Sequence, residues 1–514
     1  MNSPHAAQVT ASAVGGRLAN NIRIVAARDK TVDAARGSRW VFVALCGYIA
    51  SQAYTLPILP IGPWPVWPGL PDVMFGALVL AWLFMDRSAS DLRGVRRTMV
   101  QVMALLTIAG IASYVTFTLL LSNLNTRSFG IGQQGPAFGL FEVVRMVQFL
   151  VLFRVAAGVP LSEFRVGVLR RIVIGAFLIT TATVIVTFHN VIPTGVFAPL
   201  LPRDQAGGGA WWYYVHNYDG FGLGTISYTH AYVAAQITLL LGLALHLSEQ
   251  DDRIGKVVLI GLALVASLLS GSRAGFAGVL LVAGLFILSK SPRWLVNFVL
   301  ISALVGVSAF VYASSHPSLG GGGPIGSILQ HQVAAFAPFE SKNLVGRNDI
   351  WAGRLHNLNS HPWRWFTGWG VGSSPDTGPA LSPHMLPLQI IMELGFGTLL
   401  VLALICRNLL RNLWRREQRS RPFFWTTIAL LVSSATQETF YPVPSTGYLL
   451  GFYLVCLAIV LRTREHAEDL PESPPIYAEP MRTTSPMAGA SAWHRVGASI
   501  DVAPRRSLPD PRHG

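Results

Sequence analysis

The stretch Ser382-Pro383-His384-Met385-Leu386-Pro387, running on through Gln389 to Glu393-Leu394-Gly395-Phe396-Gly397, decides how this chain is read. It begins polar and turns apolar within a few residues, so it reads as a chain entering a membrane with a histidine at the edge. Ser382 and Pro383 have the chemistry of an N-cap and a first helical residue, and Pro387 allows the helix to begin there instead. In either register the His384 imidazole lies near the positive end of a helix. Glu393 lies a little over two turns further along, at a depth where a carboxylate is costly unless it is paired. A histidine at such an edge can also be a simple interfacial hydrogen-bonder.

Working outward, composition sets the class. Of 514 residues, 51% are hydrophobic and 12% charged, with a mean hydropathy of +0.46. A soluble domain carries about 25% charged residues, so this is an all-α polytopic membrane protein. The formal net charge is +14, from 39 Lys and Arg against 25 Asp and Glu. In a soluble chain that balance would suggest nucleic acid. Here most basic residues fall in alternate short loops, the pattern of a membrane protein's inner face, and no nucleic-acid partner is expected. Cys46, Cys406 and Cys456 lie in or beside apolar runs and read as small core residues.

Apolar runs long enough to cross a bilayer fall near residues 40–59, 70–85, 98–121, 140–157, 172–188, 225–247, 257–269, 276–288, 294–312, 387–405, 423–440 and 447–461. That is about twelve helices with both termini cytoplasmic. The sequence divides into a cytoplasmic segment 1–39, a transmembrane domain 40–462, and a tail 463–514 rich in Pro, Ser, Ala and Arg, which reads as disordered and cytoplasmic. Between the ninth and tenth helices lies a large outer loop, 313–383. Loops of that length are usually functional or disordered.

Few residues at the outer edge can do chemistry. Arg273, in Ser270-Gly-Ser-Arg-Ala-Gly, sits between two short apolar spans. Snorkelling to the headgroups is one reading; a guanidinium held inside the protein to fork onto phosphate or carboxylate is the other. Within the outer loop, Val345-Gly-Arg-Asn-Asp-Ile-Trp-Ala-Gly-Arg-Leu has the spacing of a surface helix with Ile350, Trp351 and Leu355 on its apolar side. Arg347 and Arg354 then lie two turns apart, and either can be a solvated charge. The segment His361-Pro-Trp-Arg-Trp-Phe-Thr-Gly-Trp-Gly-Val-Gly follows, its aromatic rings, Trp369 among them, suited to anchoring at an interface or stacking on sugars. Glu142 and Arg145, three apart on the fourth span, are expected to neutralise one another. Ile61 to Gly69, the first outer loop, holds no Asp or Glu.

Taken in order, the Ser270–Gly275 turn, Gly346-Arg-Asn-Asp-Ile-Trp, His361-Pro, Gly368-Trp-Gly-Val-Gly and Pro383-His384 with Glu393-Leu-Gly-Phe-Gly resemble the O-antigen ligase and O-antigen polymerase family. The resemblance covers roughly 257–404, with one departure: Met385 stands where the family usually has Asn. It implies a fold similar to the C-type glycosyltransferases in a bacterial inner membrane. It also implies metal-independent, cofactor-free transfer of a glycan from undecaprenyl diphosphate to an acceptor sugar on the periplasmic face. The family's outer arginines match Arg273 and Arg347, and its loop-end histidine matches His384. Around these catalytic candidates, Arg354, Glu393, Trp351 and Trp369 are the expected substrate-binding residues. The acceptor is either another lipid-linked repeat, as for a polymerase of O-antigen or exopolysaccharide, or a lipid A core, as for a ligase. Aromatic residues 211–214 and 363–369 tilt the reading to the polymerase. A polysaccharide flippase or other multi-pass transporter is the rival class.

Overall fold

The computed structural model describes residues 38–58, 68–84, 92, 94–120, 135–197, 220–226, 230–248, 252–290, 296, 328, 332, 347–373, 383–415, 420–435, 439–442 and 448–468. All but one residue of the ninth expected span, residues 61–67 of the first outer loop, the aromatic residues 211–214, most of 313–346 and the tail beyond 468 lie outside them. The count of twelve helices therefore stays an expectation.

Among the described residues the regular structure is helical. The helices are α1 (Ser38–Ser51), α2 (Leu70–Leu83), α3 (Gly94–Ser113), α4 (Gly135–Gly158), α5 (Glu163–Thr187), α6 (His230–Leu247), α7 (Arg253–Leu269), α8 (Arg273–Lys290), α9 (Arg347–Ser360), α10 (Arg364–Thr367), α11 (Leu386–Arg415), α12 (Arg421–Ser434) and α13 (Tyr448–Glu468). Four are long and apolar enough to cross a membrane by length and composition: α3 with its continuation to Leu120, α5 with its continuation to Asn190, α6, and α11. Helix α13 runs past the expected end of the transmembrane domain at 462. Large apolar side chains such as Leu80, Leu105, Ile108, Leu400, Leu404 and Val432 are exposed, as a lipid-facing surface requires.

Helix α6 is the centre of the bundle, with every residue from Tyr232 to Leu247 buried. A helix apolar on all sides belongs inside a bundle. Lipid is as apolar as leucine, so close packing of small residues has to hold such helices together. A Cβ placed on Gly242 would lie 1.9 Å from Thr426 Oγ1 of α12, and one on Gly275 of α8 would lie 2.1 Å from Ala234 Cβ of α6. Helices α6, α8 and α12 accordingly pack on one another.

The two ends of the bundle are tied separately. At one end Arg96, fully buried, donates to the Ala157 carbonyl. Nearby Arg165 donates at 2.8 Å to Ser38 Oγ and to the Pro160 carbonyl. These contacts bring together the starts of α1, α3 and α5 and the end of α4. At the other end, Gly222 N–H donates to the Leu269 carbonyl and Thr55 N–H to the Thr225 carbonyl, both at 2.9 Å. Pro57 pairs with Gly69, and Gly69 N–H donates to Tyr448 Oη at 2.9 Å. Arg273 follows Leu269 at this second end, and Glu393 accepts from Ser113 at the end of α3 away from Arg96.

Candidate functional site

The site is built on a rupture in α11. Its helix starts at Leu386, which leaves His384 outside, in a left-handed conformation with φ 52°. At Gly395 the backbone turns to φ 82° and ψ 164°, and the helix breaks. The break frees the carbonyls of Met392 and Glu393 from their usual intrahelical donors, and a buried carbonyl needs a replacement. Trp369 N–H supplies one to Met392 at 2.6 Å, and Gly370 N–H supplies one to Glu393 at 3.2 Å. Ser113 Oγ, at the end of α3, donates to the same Glu393 carbonyl at 3.2 Å. Glycine is required here for space as well as for conformation. A Cβ on Gly395 would lie 2.0 Å from the Phe366 carbonyl oxygen, and one on Gly368 would lie 2.5 Å from Glu393 backbone carbon.

Beyond Ser113, α3 widens into a π-helical stretch, Tyr114–Leu120, a local geometry frequent at functional sites. Thr118 on that stretch donates to the Val371 carbonyl at 2.7 Å. The segment 368–372 is thus threaded between α3, α4 and the broken α11.

Glu393 is fully buried. Its Oε1 accepts from Gln389 Nε2 and its Oε2 from Tyr441 Oη, each at 2.6 Å. The Glu142 carboxyl of α4, also fully buried, abuts it. The expected pairing of Glu142 with Arg145 is therefore corrected. Arg145 turns to Asp72 of α2 in an ion pair, donates to Gln148 Oε1 at 2.6 Å and lies over the Tyr448 ring at 4.5 Å. The i, i+3 spacing made both pairings possible, but tertiary partners on the two flanks of α4 separated the two residues.

Helix α9 also corrects its expected face. Arg354 and Leu358 are buried, with Trp351 packed against them, whereas Leu355 is exposed. Arg354 is 0% exposed and feels the Glu393 charge. Burial pushes its guanidinium down to about 10, against the opposing pull of Glu393, so it stays protonated at neutral pH. One turn earlier, Trp351 Nε1 donates to the Pro383 carbonyl at 2.8 Å, next to His384.

Arg364 is the residue that sequence reasoning missed. It is 1% exposed, its guanidinium 3.8 Å from the Trp363 ring centroid, 4.6 Å from that of Trp369 and 5.3 Å from that of Phe117. It donates to the Gly368 carbonyl at 3.1 Å, and burial pushes it down to about 10. The signal was present in the sequence: an arginine flanked by Trp363 and Trp365, with Trp369 just beyond. Trp369 is itself buried, against Arg364 and the edge of His361, so its ring is engaged inside the protein.

The structure brings together Trp351, Arg354, Trp369, Glu393 and the backbone beside His384. Arg347 heads the same helix as Trp351 and Arg354. Arg273, half-buried, heads α8 at the α7–α8 corner, where Ser272 Oγ caps the helix by accepting from Gly275 N–H at 3.1 Å and Gly271, at φ 74°, faces Phe221.

An apolar cavity of about 420 Å³ runs among α3, α4, α11, α12 and α13. Along α11 it is lined from Leu386 to Leu409, roughly 35 Å of chain at the 1.5 Å per residue of a helix. Leu386, Pro387 and Tyr441 line its end next to His384. Among the described residues, no group of three or more His, Cys, Asp or Glu side chains is placed to hold a metal ion.

A polytopic helical membrane protein with a polar centre at one end of an apolar slot is the class that these observations define. Residues 258–403 match the family model described as O-Antigen ligase. No curated protein matches the chain. A chain in a solved structure titled "Structural coordination of polymerization and crosslinking by a peptidoglycan synthase complex" is similar at 16% identity. The similarity covers 72% of this chain and 98% of that one, with a TM-score of 0.41.

Proposed function

We propose that this protein is a metal-independent glycosyltransferase of a bacterial inner membrane, moving a glycan from undecaprenyl diphosphate to an acceptor sugar at the periplasmic face. The observation that carries this reading is the position of His384 two residues before Leu386, which lines the apolar slot. A polyprenyl tail lying in the slot would present its diphosphate beside that imidazole.

The chemistry follows from the residues. The acceptor hydroxyl oxygen bonds to the anomeric carbon as the bond from that carbon to the diphosphate oxygen breaks. The lipid diphosphate leaves with the electron pair, and His384 takes the hydroxyl proton. Arg273 and Arg347 neutralise the leaving diphosphate, a task for which planar forked donors are suited. Glu393, Arg354 and Trp369 are buried behind this surface.

The acceptor separates a polymerase from a ligase, and we favour the polymerase of O-antigen or exopolysaccharide repeats. Trp363 is half exposed and Phe366 is 75% exposed at the loop, a surface that suits a growing chain. Surface polysaccharide from a deletion strain tests this. A polymerase mutant should retain single repeats or lose chain length. Full-length chains accumulating on undecaprenyl diphosphate beside a bare lipid A core would make the protein a ligase. An accumulation of lipid-linked repeats on the cytoplasmic face would instead support a flippase.

A further inference from the structure

Arg364 has no part in the transfer described above, yet it is among the most deeply buried large side chains of the described residues. A buried charge is costly unless specific contacts offset it. Its guanidinium lies 3.8 Å from the Trp363 ring centroid and 4.6 Å from that of Trp369, the stacking that a planar cation favours. Phe117, on the π-helical stretch of α3, supplies a third ring at 5.3 Å. One guanidinium N–H donates to the Gly368 carbonyl at 3.1 Å. Arg364 thus holds Gly368 by its carbonyl and Trp369 by its ring.

What this run of backbone holds is the first part of α11. Trp369 N–H donates to the Met392 carbonyl at 2.6 Å, and Gly370 N–H donates to that of Glu393 at 3.2 Å. Gly368 lies so close that a Cβ there would be 2.5 Å from the Glu393 backbone carbon. The break at Gly395 separates Leu386–Leu394 from the rest of α11, leaving a piece of about two turns. At the other end of that piece, Gln389 N–H donates to the Met385 carbonyl at 2.9 Å, and His384 is the residue before.

From this chain of contacts we infer that Arg364 is a positioning residue for His384. It fixes the segment 368–370, that segment fixes the released end of the short helical piece, and the piece carries His384 beside the slot. A tilt about the Gly395 end displaces the opposite end most, so a loss at Arg364 is felt at the imidazole. An apolar side chain of similar bulk would fill the space without selecting one carbonyl and one ring orientation. The inference rests on the glycosyltransferase reading for its kinetic arm only.

The test uses the full-length protein in nanodiscs, with Arg364→Met, Arg364→Lys, His384→Ala and the double variant Arg364→Met/His384→Ala. Arg364→Met keeps bulk and removes the charge and the donor. It should lower kcat about 10-fold with the apparent KM for lipid-linked donor within about twofold, the pattern of a displaced group that acts in the transition state. Arg364→Lys keeps a cation among the rings without the planar fork, and should recover part of the loss. In the His384→Ala background, Arg364→Met should slow transfer by less than about twofold more, because its effect runs through the imidazole. Modification of His384 by diethylpyrocarbonate, followed by mass spectrometry, supplies a readout independent of activity. Its rate should rise by about threefold or more in Arg364→Met as the half-buried imidazole is freed, and fall back toward wild type in Arg364→Lys. Exposed His356 on α9 should react at its wild-type rate throughout.

Losses that multiply in the double variant would mean that Arg364 acts on substrate independently of His384, and would overturn the inference. So would an unchanged rate of His384 modification, or a raised KM with unchanged kcat. Should Arg364→Met fail to fold, Arg364→Lys decides: wild-type kcat and wild-type His384 reactivity there would reduce Arg364 to a stability role and overturn the inference equally. If the wild-type protein transfers no glycan from any lipid-linked donor, the functional reading fails, and His384 modification still decides whether Arg364 positions it.

Discussion

Trp351 donates its indole N–H to the carbonyl of Pro383 at 2.8 Å, across the whole segment that separates α9 from α11. One hydrogen bond thereby joins the surface helix bearing Arg347 to the residue before His384. Replacing Trp351 with Phe keeps most of the ring area and removes the donor. Transfer should fall by about 5-fold, on the scale of about 1 kcal/mol for a neutral hydrogen bond, with the amount of folded protein unchanged. Single-turnover assays with lipid-linked donor check this.

Arg273→Ala and Arg347→Ala should abolish detectable transfer while membrane levels stay normal. The expected loss is about 10²-fold or more, as for removal of a preorganised donor from a developing negative charge. Lysine at either position should recover little, because a point charge cannot fork onto two oxygens. Wild-type transfer by both lysine variants would leave these residues only a general electrostatic role.

His384→Ala should lower kcat by about 10²-fold to 10⁴-fold, the range for losing a general base. Because the residue precedes α11 and is half-buried, thermal stability should change little. A strong loss of stability at unchanged specific activity would count against the base assignment.

Arg145→Met should behave in the opposite way. It leaves Asp72 without its ion pair, a change worth about 3–5 kcal/mol where both groups are buried; Asp72 is partly exposed, which places the expected loss toward the lower figure. Thermal unfolding in detergent should show it, while specific activity of the surviving protein stays near normal. Asp72 also accepts from Tyr448 Oη at 2.6 Å, so Tyr448→Phe should produce a smaller loss in the same direction.

Truncation after Glu468 should leave transfer intact. Helix α13 continues to that residue, and the sequence beyond it lacks apolar periodicity. In contrast, cutting at 462 would remove part of a helix, including Thr463, whose hydroxyl lies 3.0 Å from His246 Nε2 of the central helix.

Local chemistry made part of the site legible. Ser382-Pro383-His384 before an apolar run announced a helix start, and Glu393 within that run announced the need for a partner. The partners themselves could not be read. Tyr441 reaches Glu393 from a distant part of the chain, and Glu142 arrives from another helix altogether. The one local pairing that spacing suggested, Glu142 with Arg145, failed because α4 is packed on both flanks and each residue found a neighbour there. The break at Gly395 was equally hidden: a glycine in an apolar helix is common, and only the carbonyl of Phe366 lying where a Cβ would be reveals why this one is needed.

That break also decides what can be exchanged between related proteins. The released carbonyls of Met392 and Glu393 are served by Trp369 and Gly370, and the glycine that releases them makes room for Phe366. The loop and the first turns of α11 are therefore one unit of inheritance. A chimera grafting a foreign loop up to Pro383 would leave two carbonyls in the membrane without donors. A graft extended through Gly395 would carry its own.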